Sequence, residues 1–131
     1  MGVGLAVVAG IFFTAPTWVT LPLDREALAF QEHASDALAP TIARAGGQER
    51  LLACGEPYTG EFQVPLVAWH LRVHIRRVLL EPKRPGVVFR TQSNPGVPPG
   101  PPLDGVGGEA AVTTLATGPN WRIVGACRGA G

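Results

Sequence analysis

His70 and His74 stand four residues apart, and on a helix both imidazoles would share one face, close enough to hold one metal ion. On a strand the same pair would lie about 13 Å apart, too far for a single ion. Leu71 occupies the position at which an HExxH site carries its general base, and no third ligand among His33, Glu61 and Glu81 has a recognisable spacing. A solvated face therefore accounts for the histidines, and neither a metal nor a cofactor is expected. The same stretch is basic. Arg72, Arg76 and Arg77 are candidates for anion binding, because a guanidinium fork matches the oxygens of a lipid phosphate or of an anionic envelope polymer. Glu49, Glu56, Glu61 and Glu81 lie nearby and oppose that charge.

Nucleophilic chemistry finds little support. Ser35 and Ser93 are the only serines, and neither sits in a GxSxG setting. Glu56 and Glu61 could supply paired carboxylates, but two acids in one Gly/Pro-rich stretch arise readily without a catalytic role. Gly105 to Gly108 follow no predicted strand, so a dinucleotide fold lacks its context. No catalytic residue is assigned, and an enzyme is not the expected class. With 11 basic residues against 10 acidic ones, the net charge of +1 offers no field for nucleic acid.

The two cysteines, Cys54 and Cys127, each end an apolar segment beside small residues. An even count in a small extracytoplasmic domain points to a disulfide, and a loop of about 73 residues would contribute roughly 4 kcal/mol in the chain-entropy model. The alternative is a pair of buried thiols in a reducing compartment. Zinc is disfavoured because neither cysteine has a CxxC partner.

The elements that must position these groups begin with a run from Met1 to Leu23 that contains no ionisable side chain, followed by Asp24-Arg25-Glu26. A membrane helix needs about 20 apolar residues. Residues 1–23 are expected to be a transmembrane helix or signal-anchor, with residues 3–23 in the lipid bilayer and Trp18 towards the headgroup layer. A cleaved signal peptide is the competing reading, weakened by Pro16 directly after the best small-residue site. The charges flanking the run are nearly balanced, so orientation rests on the cysteines, which place the soluble domain outside the cell membrane.

Residues 24–131 suffice for one domain. Apolar spacing predicts a helix from Arg25 to about Ala39 with a kink or restart at Pro40 and a stop at Gly46-Gly47, then a strand over Arg50 to Cys54 and a turn through Gly60. Val64 to His74 fits a helix because Pro65 suits a first turn and a central strand badly. Gly86 to Gln92 reads as a strand and residues 93–108 as a flexible Pro/Gly loop, either a mobile excursion or a ligand for a partner's groove. Ala111 to Ala116 and Trp121 to Cys127 read as a hairpin. The expected fold is α+β: a transmembrane helix, then a small helix and mixed-sheet domain with one disulfide joining two strand ends at one sheet edge.

One segment, Cys54-Gly55-Glu56-Pro57-Tyr58-Thr59-Gly60-Glu61-Phe62-Gln63-Val64-Pro65-Leu66-Val67-Ala68-Trp69-His70-Leu71, carries a dense series of aromatic, Gly and Pro positions. With the apolar run before it, this resembles the C-terminal extracytoplasmic part of uncharacterised actinobacterial membrane proteins, which share a similar Cys-Gly, Pro-Tyr-Thr, Phe-x-Val-Pro, Ala-Trp-x-Leu series. The resemblance implies an extracytoplasmic soluble domain from Asp24 onward, with further helices upstream in the group, and implies no activity. Two readings of the segment compete. Glu56, Tyr58, Glu61, Trp69 and His70 could line a ligand crevice, or Tyr58, Phe62 and Trp69 could pack as an aromatic cluster above the disulfide. The expected function is a membrane-anchored binding or accessory domain whose partners are the bilayer and other membrane proteins or an anionic envelope polymer. The alternative is the accessory or substrate-binding tail of a polytopic membrane enzyme such as a glycosyltransferase.

Overall fold

The computed structural model describes residues 25–128, so the expected span and the last three residues lie outside it. Among the described residues no helix is long and apolar enough to cross a membrane. Helix α1 occupies 25–44 and buries Ala34, Ala37, Leu38, Thr41 and Ile42, spaced three and four apart. Where a kink or restart was expected, the helix continues without interruption across Pro40. Proline removes the donor to the Asp36 carbonyl, but both residues face solvent, where water can serve the freed oxygen. The helix ends as glycine dictates. Gly46 and Gly47 take φ of 107° and 90°, and the Gly47 N–H closes on the Ile42 carbonyl at 3.0 Å.

Residues 50–54, expected as a strand, are instead the end of helix α2, Gln48–Cys54. Gln, Glu, Arg, Leu and Ala are good helix formers, and Leu51 and Cys54 reach the core from one face of the helix. A short apolar run cannot by itself distinguish the two states. The first strand follows where a turn was expected: β1 is Glu56–Thr59, with Pro57 inside it. Leu79 donates to the Pro57 carbonyl at 2.9 Å and accepts from Thr59 at 3.0 Å, so the proline nitrogen faces this outer, sparsely paired edge.

Helix α3, Val64–Leu71, carries Pro65 in its first turn and stops at Arg72, a left-handed residue with φ of 54°. It is shorter than the expected 64–74. His74 therefore falls beyond the helix, where its ring accepts from the Arg76 N–H at 3.2 Å and opens a 3-10 turn, Ile75–Arg77. Strands β2, Gly86–Arg90, β3, Thr113–Gly118, and β4, Trp121–Ala126, complete a four-stranded sheet in the order β1-β2-β4-β3. β1 and β2 are parallel, joined across α3; the other pairs are antiparallel. Pro119 and Asn120 form the two-residue turn of the hairpin, Asn120 at φ of 63°. The fold is thus α+β with a mixed sheet.

Alternation along β2 and β4 sends side chains to two separate cores. Val87, Phe89, Trp121 and Ile123 meet the helices, while Val88, Val124 and Ala126 meet Tyr58, Leu103 and Val106. Leu103 and Val106 come from the Pro/Gly segment 93–108, whose later half covers the second face of the sheet.

The Cys54–Cys127 disulfide is present, with the two Cα atoms 4.4 Å apart. It does not join two strand ends at one edge. Cys54 ends α2, and Cys127 follows β4, an inner strand. Gly125 makes room for it, since a Cβ there would lie 3.1 and 3.2 Å from the two sulfurs. The bond closes 73 residues of chain, so replacing both cysteines by alanine should lower unfolding free energy by roughly 2–4 kcal/mol. Urea unfolding of the two proteins measures the difference, and an unchanged midpoint would show the bond to be mechanically idle.

Candidate functional site

The residues proposed from sequence as a crevice are not brought together. Tyr58 is buried at 5% exposure in the second core, whereas Trp69 and Phe62 stand out at 80% and 78%. The expected aromatic cluster above the disulfide is therefore absent, because β1 turns Tyr58 to the sheet face away from the helices. Glu56 and Glu61 are exposed, and His70 is half-buried near the end of α3. Glu56 lies 3.6 Å from Arg77 in a solvent-exposed pair of little energetic weight. Among the described residues no group of three His, Cys, Asp or Glu side chains is placed to hold a metal ion.

The basic residues divide into two sets. Trp69, Arg72 and Val73 line a shallow hollow of about 400 Å³ on the outer side of α3, and Ile75, Arg76 and Arg77 continue the exposed stretch. Arg90 has a structural task. It sits opposite Arg122 in the β2–β4 register, and both guanidinium groups grip Glu109, at 2.9 and 2.8 Å. Arg90 also donates to the carbonyls of Pro101 and Pro99 at 3.0 and 3.1 Å, which pins the Pro/Gly segment to the end of β2. The hydrogen bond from Arg122 is the chief reason that the Glu109 carboxyl is held below its ordinary range.

A different concavity gathers the neutral polar residues. A groove of about 340 Å³ lies between α1, the 3-10 turn Glu61–Gln63 and the chain just after β2. Ala34, Leu66 and the buried Trp121 contribute apolar lining, and Phe30 and Phe62 add aromatic rings. Gln31 and Ser35 reach it from α1, Gln63 from the turn, and Gln92 and Ser93 from the chain beyond β2. The placement follows from the elements: Gln31, Ala34 and Ser35 share a helix face by their spacing, and the turn before α3 brings Phe62 and Gln63 opposite them. Both serines and three of the four glutamines of the chain converge here, and among the described residues no ionisable side chain lines the groove. Among the described residues, none of these five side chains is engaged in a hydrogen bond. Its size falls in the range of small-molecule sites, roughly 300–1,000 Å³.

Sequence reasoning missed this groove because its members are dispersed and individually unremarked. The one available signal was rarity, with two serines and four glutamines in 131 residues. No family model, curated protein or solved structure matches the chain.

Tyr58 offers a clean test of its placement. Burial is the main cause that raises its phenol above 10, the Glu56 carboxylate adds to it, and the Lys83 backbone hydrogen bond works the other way. The unfolded chain releases this proton at about 10 while the folded chain retains it, so stability is intact below that pH and falls as pH rises through the higher folded value. Tyr58→Phe should remove this alkaline loss. Unfolding of both proteins from roughly pH 9 to 12 checks the stability, and phenolate absorbance checks the titration, which reports one residue because the chain has a single tyrosine.

Proposed function

We propose that the chain is a membrane-anchored extracytoplasmic domain that binds a ligand in the envelope, with the groove between α1 and residues 61–63 as its binding site. The carrying observation is the convergence of scarce hydrogen-bonding side chains on one concave, aromatic-lined surface. The compartment is supported by the Cys54–Cys127 bond, which persists outside the cytoplasm and is rare within it. Residues 3–23 act as the anchor on this reading, and the resemblance to the extracytoplasmic ends of actinobacterial membrane proteins agrees with it. The face carrying Trp69, Arg72 and Arg76 supports apposition to the bilayer or to an anionic envelope polymer, since an exposed indole among guanidinium groups suits the headgroup layer.

Fractionation of cells producing the full chain tests this directly. The protein should stay with membranes after alkaline carbonate washing, migrate as the oxidised form without reductant, and be digested when protease is added to intact spheroplasts. Recovery as a soluble, thiol-reduced protein protected from external protease would contradict the assignment.

A further inference from the structure

Within that reading, and resting on it for the site alone, the geometry points to an uncharged polyhydroxylated ligand, a segment of neutral glycan, in the groove. Three properties narrow the class. The first is that, among the described residues, no ionisable side chain is on the lining, although charged residues make up 16% of the chain. An ionic ligand buried there would lose its hydration and find no opposite charge, a penalty that an uncharged one avoids. Arg72 lies beyond the end of α3 and Arg90 and Arg122 are locked to Glu109, so none of these three guanidinium groups is on the lining.

The second property is the kind of polar group offered. A glutamine amide carries two donors and an acceptor oxygen, and a serine hydroxyl both gives and receives. Gln31, Gln63, Gln92, Ser35 and Ser93 thus present donors and acceptors side by side, the arrangement that a pair of adjacent sugar hydroxyls needs. A purely apolar ligand would leave these groups desolvated and unpaired.

The third is Phe62. Its ring is 78% exposed although it belongs to the chain's apolar complement, and it lines the groove with Phe30. An aromatic face bears a negative quadrupole, which attracts the polarised C–H bonds on the flat face of a sugar ring. A peptide could also meet amides and an aromatic ring, but one recurrent mode by which extended peptides bind, addition to a free strand edge, is not offered here. Beside the groove, the chain after β2 already pairs with another segment: Thr91 and Gly100 exchange backbone hydrogen bonds at 3.1 and 3.0 Å.

The test is a titration of the full-length, oxidised, ¹⁵N-labelled protein in detergent micelles with three probes. These are the N-acetylglucosamine trimer, mannotriose, and an acetylated, amidated hexapeptide without charged residues. Side-chain amide resonances provide the readout, and Gln48, the one glutamine outside the groove, is the internal control. At least one oligosaccharide should shift Gln31, Gln63 and Gln92 in a saturable way while Gln48 stays fixed. Phe62→Ala should weaken that binding at least tenfold, and Phe62→Trp should retain it; the exposed position makes both variants safe for folding. Shifts produced by the hexapeptide alone would overturn the glycan assignment and leave the groove standing as a binding site. Shifts by none of the three probes, or equal shifts at Gln48, would overturn the glycan assignment and remove the support for the groove.

Discussion

The indole of Trp121 donates to the carbonyl of Ala34 at 2.6 Å, joining residues 87 apart in sequence, and much else depends on that bond. Trp121 opens β4 with 2% of its surface exposed, so an unpartnered N–H would be costly there; the Ala34 carbonyl supplies its acceptor. The same side chain packs in the core beneath the helices and forms part of the groove lining. Two further contacts hold α1 to the hairpin. Arg44 donates to the Thr117 carbonyl at 3.0 Å, and Thr41 fits against Gly118 where any side chain would collide with it. Helix α1 is thereby fixed across the sheet, and the wall carrying Gln31 and Ser35 is fixed with it.

The sheet imposes the other constraint. Four short strands with β2 and β4 buried on both faces need two covers, yet the helices reach only one side. The Pro/Gly segment supplies the second cover through Leu103 and Val106, held down by Arg90, Arg122 and Glu109. A segment with few backbone donors is suited to this task, since it crosses a surface without requiring a ladder of its own. The disulfide then ties the end of α2 to the end of β4, restricting the unfolded chain where a domain of this size has a limited core.

Sequence pattern exposed the parts of this design that depend on local signals. Pro65 marked the first turn of α3, the Val87 to Phe89 run marked β2, and Thr117 to Asn120 marked the hairpin. The pairing of Cys54 with Cys127 was legible from their number, two in a small domain. Where tertiary contacts decide, the pattern misled. Leu51 to Cys54 is apolar enough for strand or helix, and the choice follows from which face meets the core. Pro57 made β1 look like a turn, although an edge position accommodates its missing donor. The polar and aromatic residues of the Cys-Gly to Trp-His series suggested one crevice, but strand, turn and helix distribute them over three surfaces. The groove was invisible for the converse reason: its side chains come from four segments separated by some thirty residues each, and no local spacing relates them.

The proposed binding groove is shaped by the fold on each side. α1 is set by Trp121, the turn before α3 is set by the crossover from β1, and Gln92 and Ser93 are set by the end of β2. Intermolecular nuclear Overhauser contacts in the presence of a neutral oligosaccharide measure the result most directly. The account predicts contacts from sugar ring protons to the Phe62 ring and to the side-chain amides of Gln63 and Gln92. Contacts confined to Trp69 and its neighbours on the basic face would contradict it.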